Sequence, residues 1–204
     1  MLDSQVSDGV CLLRLNSPPM NTLTFRLLDQ LRAAIHRANA DPDVAAIVIA
    51  GGPEHFSAGA DVHLFQQLTS ADDAIRLAQV FQEAFQEIED STKPVAAALL
   101  GNVVGGALEL AMACHYRVAA AGVRVGMPEV TLGINPAAGG TQRLPRLVGP
   151  EPALRMLLTG TVVDAAHALD SGLVDAVVPG GQEVEHACQL LRSAAIRKTR
   201  RAAG

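Results

Sequence analysis

This sequence is poor in aromatics: of 204 residues none is Trp, one is Tyr and five are Phe. Its core must therefore be assembled from Ala, Val, Leu and Ile. Cysteine is scarcer still. Cys11, Cys114 and Cys188 are odd in number, far apart and set in apolar segments, which argues against a disulfide framework or a metal-ligand cluster. Reduced thiols of this kind suit a cytoplasmic setting. An excess of positive charge is missing as well: the formal net charge is -5 and the pI about 5.6, unlike a general nucleic-acid binder. Basic residues concentrate only at 192–201, as Arg192, Arg197, Lys198, Arg200 and Arg201. Long hydrophobic runs are also lacking. The most apolar stretch, 95–113, is broken by Gly101, Asn102, Gly105, Gly106 and Glu109, so it does not read as a bilayer span. Residues 1–9 are polar and acidic, without the layout of a signal peptide. The expectation is a soluble protein with neither a membrane nor a nucleic-acid partner.

What is present is length enough for one domain, which can bury roughly 70% of the surface its unfolded chain exposes. We place that domain at 1–190 and read 191–204 as a basic C-terminal tail, or as the start of a linker or of a missing helical segment. The stretch 10–15 reads as a strand. Thr24 can cap a helix whose positions Leu28, Leu31, Ile35 and Ala38 keep helical spacing up to Asp41-Pro42. Residues 45–50 suit a buried strand, and Ile75, Ala78, Phe81, Phe85 and Ile88 mark a second amphipathic helix. A third strand, 95–100, leads through a glycine-rich turn into a helix over 106–114. Further strands are predicted at 116–120, 123–127 and 174–178, with helices at 141–148, 152–158, 165–170 and 183–193. Strands alternating with helices imply an α/β fold with a largely parallel sheet.

Three segments combine into one candidate site. In Phe56-Ser57-Ala58-Gly59-Ala60-Asp61, small residues follow a strand and its turn. In Gly105-Gly106-Ala107-Leu108-Glu109, a glycine pair opens a helix whose first amides lack internal partners. The N–H groups of Ala60 and Gly106 can thus converge on one developing oxyanion. The third segment is Met127-Pro128-Glu129-Val130, backed by the loop 136–142. Glu109 and Glu129 each stand alone in apolar surroundings that normally exclude a carboxylate, and burial there lifts a carboxyl pKa toward working pH. Asp61 reads as a helix cap, His63 as a bystander, and Lys93 as a surface residue.

Together these segments resemble the crotonase, or enoyl-CoA hydratase/isomerase, superfamily, over most of the chain (about 12–178). Asn21-Thr22-Leu23, Lys93-Pro94-Val95 and the stretch 128–149 carry the same likeness. His115-Tyr116-Arg117-Val118, with the 136–145 loop, is most similar to the hydratase domain of bifunctional β-oxidation enzymes. The resemblance implies a spiral of β-β-α units with a shortened C-terminal helical segment. It implies hydration of trans-2-enoyl-CoA to 3-hydroxyacyl-CoA in fatty-acid β-oxidation, with Glu109 and Glu129 as the acid/base pair and Ala60 and Gly106 as the oxyanion hole. Ala58, Gly59, Asp61, Val62, Gly105, Pro136 and Gly139 would contact the substrate.

By the same likeness no metal or separate cofactor is expected, CoA arriving as part of the acyl-CoA thioester. The expected partners are copies of the chain, as a homotrimer or hexamer, or a fused or separate 3-hydroxyacyl-CoA dehydrogenase. Ala137 stands where the family often has glycine, and Leu100 where it often has asparagine. Relatives that only shift double bonds usually keep the Glu129 equivalent alone, so two carboxyls favour hydration. Isomerisation or other thioester-enolate chemistry, and a truncated non-catalytic module serving in assembly, are the competing readings.

Overall fold

The computed structural model describes residues 1–66 and 68–199. Its main sheet takes six strands among those residues: β1 (Leu2–Ser7), β2 (Val10–Leu15), β3 (Ala46–Ala50), β4 (Val95–Leu99), β6 (Tyr116–Ala120) and β9 (Ala176–Val178), side by side in that order. All neighbours run parallel except β1 and β2. Every residue of β3 and β4 is buried, the pattern of strands covered on both faces. A second sheet joins β5 (Asn102–Val104), β7 (Arg124–Gly126) and β8 (Val162–Asp164).

The two sheets are wound by one repeating path. Strand β4 passes to β5 and then to helix α4 (Gly106–Ala113); β6 passes to β7, a 3-10 turn (Pro128–Leu132) and helix α5 (Gly140–Val148). Two earlier turns follow the same plan with a single paired residue in place of the short strand. Leu23 lies between β2 and α1 (Phe25–Ala40), and Ala60 between β3 and the helices α2 (Val62–Gln66) and α3 (Ala71–Glu89). Those two residues form a parallel bridge to one another. The result is the expected spiral of β-β-α units. Helices α6 (Pro150–Thr159), α7 (Ala165–Asp170) and α8 (Glu183–Leu191) complete it.

Local chemistry explains the boundaries. The Thr24 side chain accepts from Leu27 N at 3.3 Å and starts α1, whose Leu28, Leu31, Ile35 and Ala38 are all buried as their spacing predicts. In α3 the buried stripe is Leu77, Phe81, Ala84, Phe85 and Ile88, whereas Ile75, expected on that face, is 54% exposed. Lys93 is half-buried rather than superficial. Its ammonium donates to the carbonyls of Ala38 (2.6 Å) and Asp41 and closes the C-terminal end of α1, where the helix dipole favours a cation.

Residues 2–7 were not foreseen as a strand, since five of the six are exposed and carry no apolar alternation. Their turn does hold a signal: Asp8 and Gly9 both have positive φ (50° and 76°), which Asp-Gly adopts readily in a two-residue hairpin.

The stretch after α8 folds back on the body. Tyr116 Oη donates to Ala195 O at 2.9 Å and Arg197 Nε to His115 O at 2.9 Å, with the guanidinium 4.0 Å from the centre of the Tyr116 ring. Arg197 also pairs with Asp175, and Lys198 with Asp90 at 2.7 Å. Two of the five basic side chains are thus engaged within the chain; Arg200 and Arg201 lie outside the described residues. No helix among the described residues is long and apolar enough to cross a membrane.

One buried amide ties the first turn of the spiral to the second. Asn21, at φ 52°, accepts from Ser17 N at 2.8 Å and donates to the carbonyls of His55 and Phe56, each at 3.2 Å. Asn tolerates this backbone conformation far better than most residues. Asn21→Ala is expected to lower the unfolding free energy by about 2 kcal/mol in urea denaturation, and a loss below about 0.5 kcal/mol would contradict this role.

Candidate active site

The site forms where the short strands give way to helices. Gly105 adopts φ 56° and ψ −131°, open in practice to glycine alone, and its N–H donates to Gly126 O at 3.0 Å. That bend delivers Gly106 as the first residue of α4, where an N–H has no acceptor inside the helix. The opposing loop is fastened from below. Ser57 Oγ donates to Asn21 O at 2.6 Å and accepts from Gly59 N at 3.1 Å, while Leu23 N donates to Gly59 O at 2.8 Å. A Cβ placed on Gly106 would stand 3.1 Å from Ala60 N, and one on Gly59 would stand 3.3 Å from Gly106 N. The two glycines are what let the two strands of backbone approach. Among the described residues neither Ala60 N nor Gly106 N has a backbone acceptor.

Two carboxyls stand beside these N–H groups. Every residue of α4 is buried, and Glu109 within it is only 4% exposed. Its Oε1 accepts from Ala138 N and Gly140 N, both at 2.8 Å. Burial pushes the Glu109 pKa up to about 7; the Gly140 and Ala138 amides pull against that rise, and the nearby Glu129 charge adds to it. Glu129 sits in the 3-10 turn, 9% exposed, and burial raises its pKa too. Its Oε2 is enclosed with no hydrogen-bond partner among the described residues, while its Oε1 would be 3.2 Å from a Cβ on Gly105. Glu129 therefore stands against the Gly105-Gly106 bend, and Glu109 lines the same cavity.

A cavity of about 280 Å³ opens over this centre. Of the residues singled out in the sequence, Ala58, Ala60, Val62, Gly105, Gly106, Glu109 and Glu129 line it. Gly59 and Asp61 share the loop but do not line the cavity; Asp61 Oδ1 instead accepts from His63 N at 3.0 Å and caps α2. Pro136 and Gly139 also lie elsewhere. They line a second cleft, with Gln82 and Thr141, although a Cβ on Gly140 would stand 2.9 Å from Glu109 Oε1 and 3.0 Å from the Pro136 side chain. His63 is exposed and bonded to Gln66.

The apolar wall of the cavity comes from Phe65, Leu77, Phe81, Leu132 and Ile134, of which only Phe81 was singled out in the sequence, in the apolar stripe of its helix. Phe81 is braced edge-on by Phe85, with ring centroids 6.0 Å apart. The α3 stripe was legible as apolar, but periodicity does not say whether an apolar face meets the core or a ligand. The two amides that hold Glu109 were missed for a different reason, since backbone donors leave no mark in side-chain identity.

Chemically, two N–H groups without a backbone acceptor among the described residues accommodate an oxygen that gains negative charge, and two carboxyls whose pKa values burial raises exchange protons with atoms beside it. An apolar pocket suits a hydrocarbon substituent.

Comparisons with known proteins place the chain in a family. Residues 5–203 match the family model described as enoyl-CoA hydratase/isomerase. The chain is 43% identical to a probable enoyl-CoA hydratase of Bacillus subtilis (strain 168) over 83% of this chain and 66% of that protein. It is 44% identical to a peroxisomal fatty acid beta-oxidation multifunctional protein of Arabidopsis thaliana over 86% of this chain and 24% of that protein. The solved structure of Pseudomonas aeruginosa DspI is 40% identical, with a TM-score of 0.89 over 94% of this chain and 73% of that one. The chain thus spans about a quarter of the multifunctional relative and just under two thirds of the Bacillus protein.

The raised Glu109 pKa fixes a sign for stability. The unfolded chain ionises this carboxyl near 4.5, the fold only near 7, so its contribution is complete below the first value and is lost as pH rises through the second. Glu109→Gln keeps an oxygen for both amides. The variant is therefore expected to gain on wild type from about pH 5 to about pH 8, by about 3 kcal/mol at most, in thermal or urea unfolding. A gain independent of pH would count against the assignment.

Proposed function

The chain belongs to the enoyl-CoA hydratase/isomerase family, and we propose that it hydrates trans-2-enoyl-CoA to 3-hydroxyacyl-CoA in fatty-acid β-oxidation. The observation that carries this reading is a pair of buried carboxyls that share one cavity with two main-chain N–H groups lacking a backbone acceptor among the described residues. In the proposed reaction the thioester oxygen rests on Ala60 N and Gly106 N, and the acyl chain runs along Leu77 and Phe81. Glu109, ionised, takes a proton from water as the oxygen of that water bonds to C3. Charge moves onto the thioester oxygen, and the protonated Glu129 returns a proton to C2. Repulsion between two carboxylates in one pocket favours a singly protonated pair, and the step proceeds from the form of that pair with the proton on Glu129. Loss of either N–H donor would cost roughly 2.7–4 kcal/mol of transition-state stabilisation.

In this reading CoA arrives with the substrate and no resident metal or cofactor takes part. A cytoplasmic setting is our proposal from the three free thiols, although some relatives carry peroxisomal names. We also propose that the chain works as a homotrimer or hexamer, which the exposure of Leu132, Leu154 and Leu158 supports (65%, 54% and 69%). Relatives named as bifunctional or multifunctional support a fused or separate 3-hydroxyacyl-CoA dehydrogenase as partner.

Hydration of crotonyl-CoA, followed by loss of the conjugated thioester absorbance with a 3-enoyl-CoA in parallel, tests the reading. Wild type should consume the conjugated substrate and leave the 3-enoyl isomer. Glu109→Gln and Glu129→Gln should each lower kcat by roughly 10²–10⁴-fold with a smaller change in KM. A double variant as active as wild type would refute both roles, and wild type that binds no CoA thioester would favour a module serving in assembly.

A further inference from the structure

Behind the loop that holds Glu109 lies a buried ion pair that the proposed reaction does not use. Arg143 of α5 and Glu89 at the end of α3 are 5% and 1% exposed. Arg143 Nε and Nη2 both donate to Glu89 Oε2, at 3.1 and 2.8 Å. The remaining arm of the guanidinium, Nη1, donates to Ala138 O at 3.1 Å, and Arg143 N donates to Gly139 O at 2.9 Å. Ala138 and Gly140 are the residues whose N–H groups meet Glu109 Oε1.

The fit is close: a Cβ on Gly139 would fall 2.2 Å from Arg143 Nη1. Glu89 is itself anchored. Its carbonyl receives His115 Nε2 at 3.1 Å, and His115 Nδ1 accepts from Val95 N at 2.9 Å, which fixes the neutral Nε2–H tautomer. The contacts run unbroken from β4 through His115, Glu89 and Arg143 to the carboxyl of Glu109.

Stability alone is a poor reason for such a pair, because well-packed apolar replacements of buried ion pairs are often neutral or stabilising. Geometry is a better one. The planar guanidinium reaches a carboxylate on one element and a carbonyl on another at the same time, which a lysine ammonium does not reproduce. We propose that Arg143, anchored on Glu89, is a positioning residue that aims the Ala138 and Gly140 N–H groups at Glu109. With Oε1 so held, the other carboxyl oxygen is left for the reaction. The charged groups facing Glu109 are Glu129 from the 3-10 turn and Arg143 from α5, with Glu89 of α3 neutralised by Arg143.

The kinetic arm of the test rests on the hydratase reading; the titration arm does not. Glu109 is titrated by 13C NMR in carboxyl-labelled chain, assigned with Glu109→Gln, for wild type, Arg143→Lys, and the double variant Arg143→Met, Glu89→Met. The double variant replaces the pair with apolar side chains, so it is expected to fold. Both variants should titrate Glu109 above the wild-type value, since two donors and one cation that favour the carboxylate are loosened or lost.

On crotonyl-CoA the double variant should lose roughly 10- to 100-fold in kcat with KM within about twofold, and Arg143→Lys should recover only part of it. A double variant with wild-type Glu109 titration would overturn the proposal whether or not the chain hydrates crotonyl-CoA. Wild-type kcat in that variant would overturn it equally. If wild type shows no turnover, the hydratase reading fails, and the titration alone decides the role of Arg143.

Discussion

A carboxyl sealed inside an apolar helix is the constraint on which the rest of this structure turns. Burial of Glu109 among Ala107, Leu108, Leu110 and Ala111 opposes ionisation, and two main-chain N–H groups from 138 and 140 meet only part of that cost. The compromise leaves the group near neutrality, able to hold or release a proton where an ordinary glutamate stays ionised. The loop carrying those N–H groups must keep its shape for the compromise to stand. That requirement reaches outward to Gly139, to Arg143 and Glu89, and through His115 to the edge of β4.

The winding of the chain supplies the other half of the site. Strands β2, β3, β4 and β6 of the main sheet each hand over to a short strand or a single bridging residue and then to a helix, so the handover points collect in one region. Two of these handovers, at Ala60 and Gly106, bring main-chain N–H groups together because glycine at 59 and 106 removes the side chains that would hold them apart. A third handover, after β7, brings in Glu129. The scarcity of aromatics belongs to the same design, since β4 reads Val-Ala-Ala-Ala-Leu and α4 carries three alanines, short side chains that allow sheet and helix to lie close.

Much of this was legible in the sequence. Glu109 and Glu129 betrayed themselves as isolated charges in apolar stretches, and the Gly105-Gly106 pair marked the helix start. Spacing placed α1 well, because its stripe meets only protein, on α3 and on strands β1 and β2. The stripe of α3 was harder, since one face serves the core through Phe85 and Ile88 and the cavity through Leu77 and Phe81, and this shared duty leaves Ile75 in solvent. Pro136 and Gly139 were placed against the substrate because they sit in the right loop. In three dimensions that loop borders two clefts: Pro136 and Gly139 line the second, and their neighbours Ala137 and Ala138 line both. Lys93 looked like a surface residue because a sequence does not show which carbonyls a folded helix leaves open nearby. The short strand at 2–7 escaped notice because an exposed edge strand needs no apolar alternation, although Asp8-Gly9 announced its turn.

The geometry of the site is tested by a crystal structure of this chain with a 3-ketoacyl-CoA or 3-hydroxyacyl-CoA thioester bound. The thioester oxygen is expected about 2.7–3.1 Å from both Ala60 N and Gly106 N. The oxygen on C3 should then lie between the carboxyls of Glu109 and Glu129. A thioester oxygen seated away from those two N–H groups, or a C3 oxygen remote from either carboxyl, would contradict it.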